Sequence, residues 1–526
     1  MLIDGRTLLE GHLLTTDLCI IGAGAAGITL ALAFADQPID VCLVEGGGFD
    51  LDDAVQELYR VETRGVPYEG YETRLRMFGG STNHWGGWCR PMEEQTFETR
   101  PWVPYSGWPI RLADLAPYYN DAARLCEISD IGLGPQGWAA RLGLPALALE
   151  GSPLRNMIFD VSPPTRFGEA YRQRLLAAPR LTICLNSSVT GLERQAGGAP
   201  VERVRVQTLA GNRFKVAARC FVLACGGIEN PRLLLCSKQA EGGLADLPDT
   251  LGRFFMDHAH FNLGMLALAR PWDSRLYLRS TLVEGTDGMR VNAHLGLRPE
   301  IERDQRLAIV ALQVRPRVPS PGEKSLARIV GFLEQGRYPD DLGYHLLRVL
   351  NDLGTIAEVA EQRLARKVFG ADDPGPLLAI RSVGEQVPNP DSRIMLAETK
   401  DALGLPKALI DWRLAELDRI TLRRTGEILA AAFGQLGLGR MQLALAPGTE
   451  AETQFIEWGY HHMGTTRMAD DPKQGVVDRH CRLHVAANLY VAGSSVFPTG
   501  GGGTPTLTIV ALALRLADHL KAKVFA

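Results

Sequence analysis

The stretch Asp17-Leu18-Cys19-Ile20-Ile21-Gly22-Ala23-Gly24-Ala25-Ala26-Gly27, followed by Val41-Cys42-Leu43-Val44-Glu45, decides the fold. Its apolar residues 17–21 predict a buried strand, 22–27 a turn, 28–34 a helix and 41–44 a second strand. That is a βαβ unit of about 30 residues. The turn reads Gly-x-Gly-x-x-Gly. Gly22 permits the tight turn, Gly24 lets a pyrophosphate approach the backbone, and Gly27 lets helix and strand pack closely. The helix N-terminus adds its dipole and free N–H groups. Glu45, 18 residues after Gly27, closes the second strand, where a carboxylate holds ribose hydroxyls. The acid favours an unphosphorylated ribose, hence FAD or NAD over NADP.

Residues 18–35 form an uncharged run of 18 residues, long enough to suggest a membrane span. Three regularly placed glycines and the flanking Asp17 and Asp36 favour the strand–turn–helix, so no integral membrane segment is expected. The first residues carry acids and no basic run before an apolar one, so no secretory signal is expected and a cytoplasmic location is. A chain of 526 residues suggests two to four domains. Its 46% hydrophobic content supports a sizeable core and excludes wholesale disorder. A net charge of −4 argues against nucleic-acid binding, which needs a clustered basic excess. The nine cysteines form no CxxC pair, so no zinc or iron–sulfur ligand set is expected, and the odd count fits a reducing compartment.

Cofactor-type signals recur at residues 78–88, at 221–227 and in the last 70 residues. Between about 271 and 439 alternating strand patterns mix with helical ones, notably 342–369 and 417–436. This layout predicts an α/β protein with a discontinuous Rossmann-like nucleotide-binding domain (1–100, 181–270 and 450–526). Residues 101–180 are expected to be connecting or lid segments. The inserted substrate-binding domain, 271–449, is expected to be α+β on an antiparallel sheet.

Four further segments carry a resemblance. They are Phe78-Gly79-Gly80-Ser81-Thr82-Asn83-His84-Trp85-Gly86-Gly87, Phe221 to Leu235 with Glu229-Asn230-Pro231, Tyr460-His461-His462-Met463-Gly464-Thr465-Thr466-Arg467-Met468, and Tyr490 to Pro498 followed by Thr504-Pro505-Thr506-Leu507-Thr508. In that order they resemble the flavin-contacting loop, the strand and turn returning to the flavin, the HxxGTxxM element and the closing segment of the glucose–methanol–choline oxidoreductase family. The sugar-oxidising bacterial members, pyranose oxidase-like enzymes among them, are closest in flavour. The resemblance implies FAD as cofactor, with Gly22, Gly24, Gly27, Glu45, Gly80, Ser81, Asn83, His84, Gly493 and Thr506 contributing to its site.

It also implies that His461 is the base that takes the hydroxyl proton while hydride leaves for flavin N5, work suited to imidazole. His462 is expected to line the substrate side. The family's second catalytic position, usually Asn or His, falls on Thr504, which either positions the substrate oxygen or caps the helix beginning at Pro505. His84 stands where some members attach FAD covalently; the other reading is a histidine packed beside the ring without a bond. Gln386, in Glu385-Gln386-Val387-Pro388-Asn389-Pro390-Asp391-Ser392-Arg393, either faces substrate or is structural. The 342–369 helix is open to three readings besides a plain surface helix: lid, oligomer contact or membrane-surface helix.

The expected function is oxidation of a CH–OH group of a sugar, glycoside or cyclitol. Oxygen, a quinone or a redox protein would accept the electrons, and a homo-oligomer is compatible with the sequence. The alternatives are a non-sugar alcohol as substrate, a flavoprotein without alcohol chemistry because of Thr504, and an NAD-linked dehydrogenase using only the first βαβ unit.

Overall fold

The computed structural model describes residues 1–526 except 130–131, 195–199, 241, 271, 279, 317–319, 335–338, 340–341, 358–359, 361–376 and 445–458. Its first sheet is parallel at its centre and runs Leu2–Asp4, Leu181–Leu185, Val41–Val44, Leu13–Ile21, Arg213–Leu223. Arg213–Leu223 is long enough for two neighbours on its far side. Its first half pairs antiparallel with Val201–Gln207, and its last residues pair parallel with Leu489–Val491. Val41–Val44 and the second half of Leu13–Ile21 are buried on both faces, as a helix-covered parallel sheet requires. The helix Ala25–Phe34 begins three residues earlier than the apolar pattern suggests and packs against the C-terminal helix Thr506–Lys523.

The glycine turn has the geometry its spacing predicts. Gly22 adopts φ +101°, a left-handed value open to glycine at little cost. A Cβ on Gly27 would lie 1.9 Å from the Gly22 carbonyl oxygen, so only glycine lets the helix sit this close.

A second sheet is antiparallel and runs Gly439–Leu443, Ala259–Leu268, Leu377–Gly384, Val310–Arg315, Arg290–Leu297, Leu154–Val161, Trp88–Cys89. Its strands come from a wider span than 271–449. Leu154–Val161 falls in the expected connecting region and Ala259–Leu268 in the expected nucleotide-binding region. Leu154–Val161 has no hairpin partner nearby in sequence; it pairs with Arg290–Leu297, more than a hundred residues on. A small third sheet joins Arg393–Lys400, Pro406–Trp412 and Val61–Gly65.

Residues 226–239 differ from the expected turn. Gly226–Gln239 is a helix with Pro231 inside it. Asn230 anchors its start, accepting the Cys225 N–H at 2.9 Å and donating to Ser495 Oγ at 2.9 Å. Glu416–Gln435 forms the expected 417–436 helix. Of the expected 342–369 helix, Leu342–Asn351 is helical and 358–359 and 361–369 lie outside the described residues. All nine cysteines are unpaired and eight are buried. Among the described residues no helix is long and apolar enough to cross a membrane.

Candidate active site

The parallel strands Leu13–Ile21, Arg213–Leu223 and Leu489–Val491 end side by side, and each is followed by a glycine facing one cavity of about 610 Å³. A Cβ on Gly24, Gly226 or Gly493 would meet nothing within 4 Å. These three glycines make an open cradle at the carboxyl ends of parallel strands, where open α/β sheets bind ligands. Glu45 forms its rim. One carboxylate oxygen accepts the Ala23 N–H at 2.8 Å and the other the Gly47 N–H at 3.0 Å, which fixes the carboxylate against the glycine turn. The cradle, the acid and the helix N-terminus fit the dinucleotide half of a flavin cofactor. Gly80, Ser81, His84 and Thr506 also line the cavity.

Two of the expected cofactor residues do not line it. Gly27 serves the helix–strand contact instead. Asn83 turns back on its own loop and donates to the Phe78 carbonyl at 2.9 Å, which shapes the bend that carries Ser81 and His84.

Opposite the cradle stands the antiparallel sheet, and between the two lies His461. The backbone N–H groups of His461 and Tyr460 donate to the Asp257 carboxylate at 2.7 and 3.0 Å, and the Tyr68 hydroxyl donates to it at 2.9 Å. Asp257 is fully buried and its pKa is raised to about 6 by desolvation, against these donors. It clamps a segment in which Tyr460 adopts φ +62°, a strained value for a non-glycine residue.

The His461 ring is held by a second histidine. His258 Nδ1 lies 2.8 Å from His461 Nδ1, and His258 Nε2 lies 2.8 Å from the Gly501 carbonyl oxygen and 3.3 Å from that of Gly500. A carbonyl only accepts, so His258 Nε2 carries the proton. Burial lowers the pKa of both rings, with the neighbouring histidine charge adding to the shift at His461, so both are neutral. His258 Nδ1 is then an acceptor and His461 Nδ1 must donate to it. The lone pair of His461 therefore sits on Nε2, in a ring that lines the cavity.

The carbonyls that set this tautomer are themselves fixed. Glu385 accepts the Gly501 N–H at 3.2 Å and forms a two-pronged ion pair with Arg100 at 2.7 Å on each arm, both side chains almost fully buried. A Cβ on Gly500 would lie 3.2 Å from His258 Nε2, so the glycine run lets the backbone come close to the ring.

His462 lines the cavity, with Nε2 3.2 Å from the Thr73 hydroxyl and its pKa lowered to about 3 by desolvation. Gln386 is 2% exposed and does not line the cavity. Its carbonyl oxygen accepts the Asp257 N–H at 3.0 Å and the Trp412 indole N–H at 2.8 Å, so it supports Asp257 rather than facing substrate. Thr504 lines the cavity, but neither expected role matches its hydroxyl. It donates to the Trp88 carbonyl at 2.6 Å, and the helix Thr506–Lys523 has no side-chain cap. With its proton engaged, Thr504 offers a substrate only lone pairs.

Asp257, His258, Glu385 and Arg100 were not singled out as site residues by sequence reading. Asp257 and His258 precede a strand and carry no spacing signal of their own. Their partners lie some 200 residues away.

Residues 388–513 match the family described as GMC oxidoreductase. The chain is 26% identical to 6'''-hydroxyparomomycin C oxidase of Streptomyces lividus, over 96% of this chain and 92% of that one. It is 24% identical to 2-methyl-1,2-propanediol dehydrogenase of Mycolicibacterium austroafricanum, over 96% and 95%. In fold it is similar to pyridoxine 4-oxidase from Mesorbium loti, with a TM-score of 0.53 and 19% identity over 96% of this chain and 99% of that one. The match to the GMC oxidoreductase family thus lies in the C-terminal part of the chain, and the alignments with these oxidoreductases run nearly end to end.

Proposed function

We propose that the chain is an FAD-dependent oxidoreductase that converts the CH–OH group of a polyhydroxylated substrate, a sugar, glycoside or cyclitol, to a carbonyl. The observation that carries this reading is the fixed tautomer of His461. Its Nε2 lone pair lies in a cavity whose other wall is a dinucleotide cradle. Gly24, Gly226, Gly493 and Glu45 would hold the cofactor's phosphates and ribose. When bound, FAD supplies the acceptor for the hydride that leaves the carbinol carbon.

The chain's own part is proton handling and alignment. His461 Nε2 takes the hydroxyl proton, and the imidazolium that results donates through Nδ1 to His258, a charge-assisted bond stronger than the neutral one it replaces. Asp257 holds the backbone of His461 in place, so the ring has little freedom to turn away. Burial keeps His461 deprotonated at neutral pH, the form a base requires.

The similarity to an aminoglycoside oxidase and to a diol dehydrogenase supports an alcohol carried on a polar substrate. The test is anaerobic mixing of the FAD-loaded protein with a panel of sugars, glycosides, cyclitols and simple alcohols. Bleaching of the flavin by at least one polyol supports the reading, and a flavin that stays oxidised with the whole panel refutes it. Admitting air afterwards separates an oxidase from a dehydrogenase.

A further inference from the structure

The wall facing the cradle carries two histidines that the proton-handling machinery does not use. His294, on Arg290–Leu297, is 2% exposed, and both of its ring nitrogens are buried without a hydrogen-bond partner among the described residues. Its ring packs between aromatic neighbours, 4.2 Å from the Phe159 centroid and 5.5 Å from that of Trp88. His260, on Ala259–Leu268, has a fixed tautomer. An Arg381 N–H donates to its Nδ1, so its proton is on Nε2, and that N–H is also buried without a partner among the described residues. Both rings line the cavity. Most buried polar groups in a folded protein are paired, so three unpaired nitrogens on one cavity wall need an explanation.

Burial lowers the pKa of both rings, to about 3 for His294, so neither repels nor attracts by charge. Together they offer two N–H donors and one acceptor, suited to neutral hydroxyl groups. Trp88 and Phe159 add apolar faces of the kind that pack on a carbon ring. The two strands stand three places apart in the sheet, about 14 Å at the usual strand spacing. A small alcohol held at His461 cannot reach both. A ring or chain bearing several hydroxyls can.

We propose that His260 and His294 read separate hydroxyls of one substrate, so that the site selects a polyol of at least sugar-ring size over a mono-alcohol. This rests on the alcohol-oxidation reading and adds specificity to it. His260, two residues beyond the His258 that holds the His461 ring, reads the hydroxyl nearer the reacting carbon. His294 reads a distal one. A site built to hydrogen-bond hydroxyls rejects an analogue lacking them, because its own polar groups are then left unpaired.

The test uses the FAD-loaded protein under anaerobic conditions with cyclohexanol, trans-cyclohexane-1,2-diol, myo-inositol and D-glucose, reading the rate of flavin reduction against concentration. For the unmodified protein, the second-order constant for myo-inositol or D-glucose should exceed that for cyclohexanol by roughly a hundredfold or more. His294→Phe, which keeps the ring packing and removes the nitrogens, should cut that ratio by roughly tenfold or more, mainly through a weaker apparent Kd. His294→Gln, which keeps a donor and an acceptor, should restore part of it. A ratio near one in the unmodified protein overturns the inference, as does a ratio in His294→Phe within about threefold of the starting value. Both results leave alcohol oxidation standing. Failure of every alcohol to reduce the flavin overturns the alcohol-oxidation reading itself.

Discussion

Replacing His258 with Phe isolates the feature on which the proton chemistry depends. The substitution conserves the ring and removes the acceptor 2.8 Å from His461 Nδ1, together with the donor to Gly501. His258 is fully buried, so water does not readily take its place. An orphaned buried donor costs about 1–3 kcal/mol. As the alcohol gives up its proton, His461 becomes a cation and the lost bond would have been charge-assisted, so the cost is greater in the transition state than before it. A differential loss of about 1.5–3 kcal/mol corresponds to a roughly 10- to 150-fold slower flavin reduction. The assay is anaerobic stopped-flow reduction with a saturating polyol, alongside FAD content and melting temperature. His258→Asn, whose side-chain oxygen can stand near the Nδ1 position, should recover part of the rate. A His258→Phe variant with full FAD and an unchanged rate would refute the tautomer argument. So would Phe and Asn variants that lose equal amounts, because a purely structural role does not distinguish an acceptor from a ring edge.

Thr504→Val should lower the melting temperature through loss of one hydrogen bond to the Trp88 carbonyl, about 0.5–1.5 kcal/mol, and slow reduction by less than about threefold; a tenfold loss would return Thr504 to the substrate's oxygen. The rate of reduction should be flat across neutral pH and fall only in acid solution. The base works deprotonated, and burial places the His461 pKa well below its usual value. An acid limb at pH 7 or above, measured with substrate saturating, contradicts that. His84 lines the cavity with its pKa lowered to about 4 by desolvation, a neutral ring with a lone pair to offer. Covalent attachment there predicts that yellow colour stays with acid-precipitated protein and that His84→Ala releases it; a colourless pellet from the unmodified protein assigns His84 to packing alone.

The βαβ unit was legible because its signals are local. Glycine spacing, two apolar strands and an acid lie within about 30 residues, and each has a mechanical reason to be there. His461 was legible through its motif. Its partners were not. Asp257, His258 and Glu385 act through contacts that span from about 115 to about 285 positions, and a polar residue beside a strand gives no hint of such a partner. Thr504 misled for a related reason. Its hydroxyl looked available beside a helix start, but the Trp88 carbonyl, more than four hundred positions earlier, had taken its proton. For Gln386 the sequence pattern leaves both readings open, because it does not tell which way a side chain turns once a strand has ended. His294 hid inside a run that is buried along nearly its whole length, where a single histidine reads as a core residue.

The central claim is that His461 accepts the proton of an alcohol while the cofactor takes its hydride. It is tested most directly by anaerobic flavin reduction in His461→Ala, compared with the unmodified protein at equal FAD content and matched melting temperature. The account predicts an intact yellow protein whose reduction by a polyol is slower by roughly 10² to 10⁴, the scale of a lost general base. Reduction at a near-normal rate would contradict it and move the base to another group, His462 first.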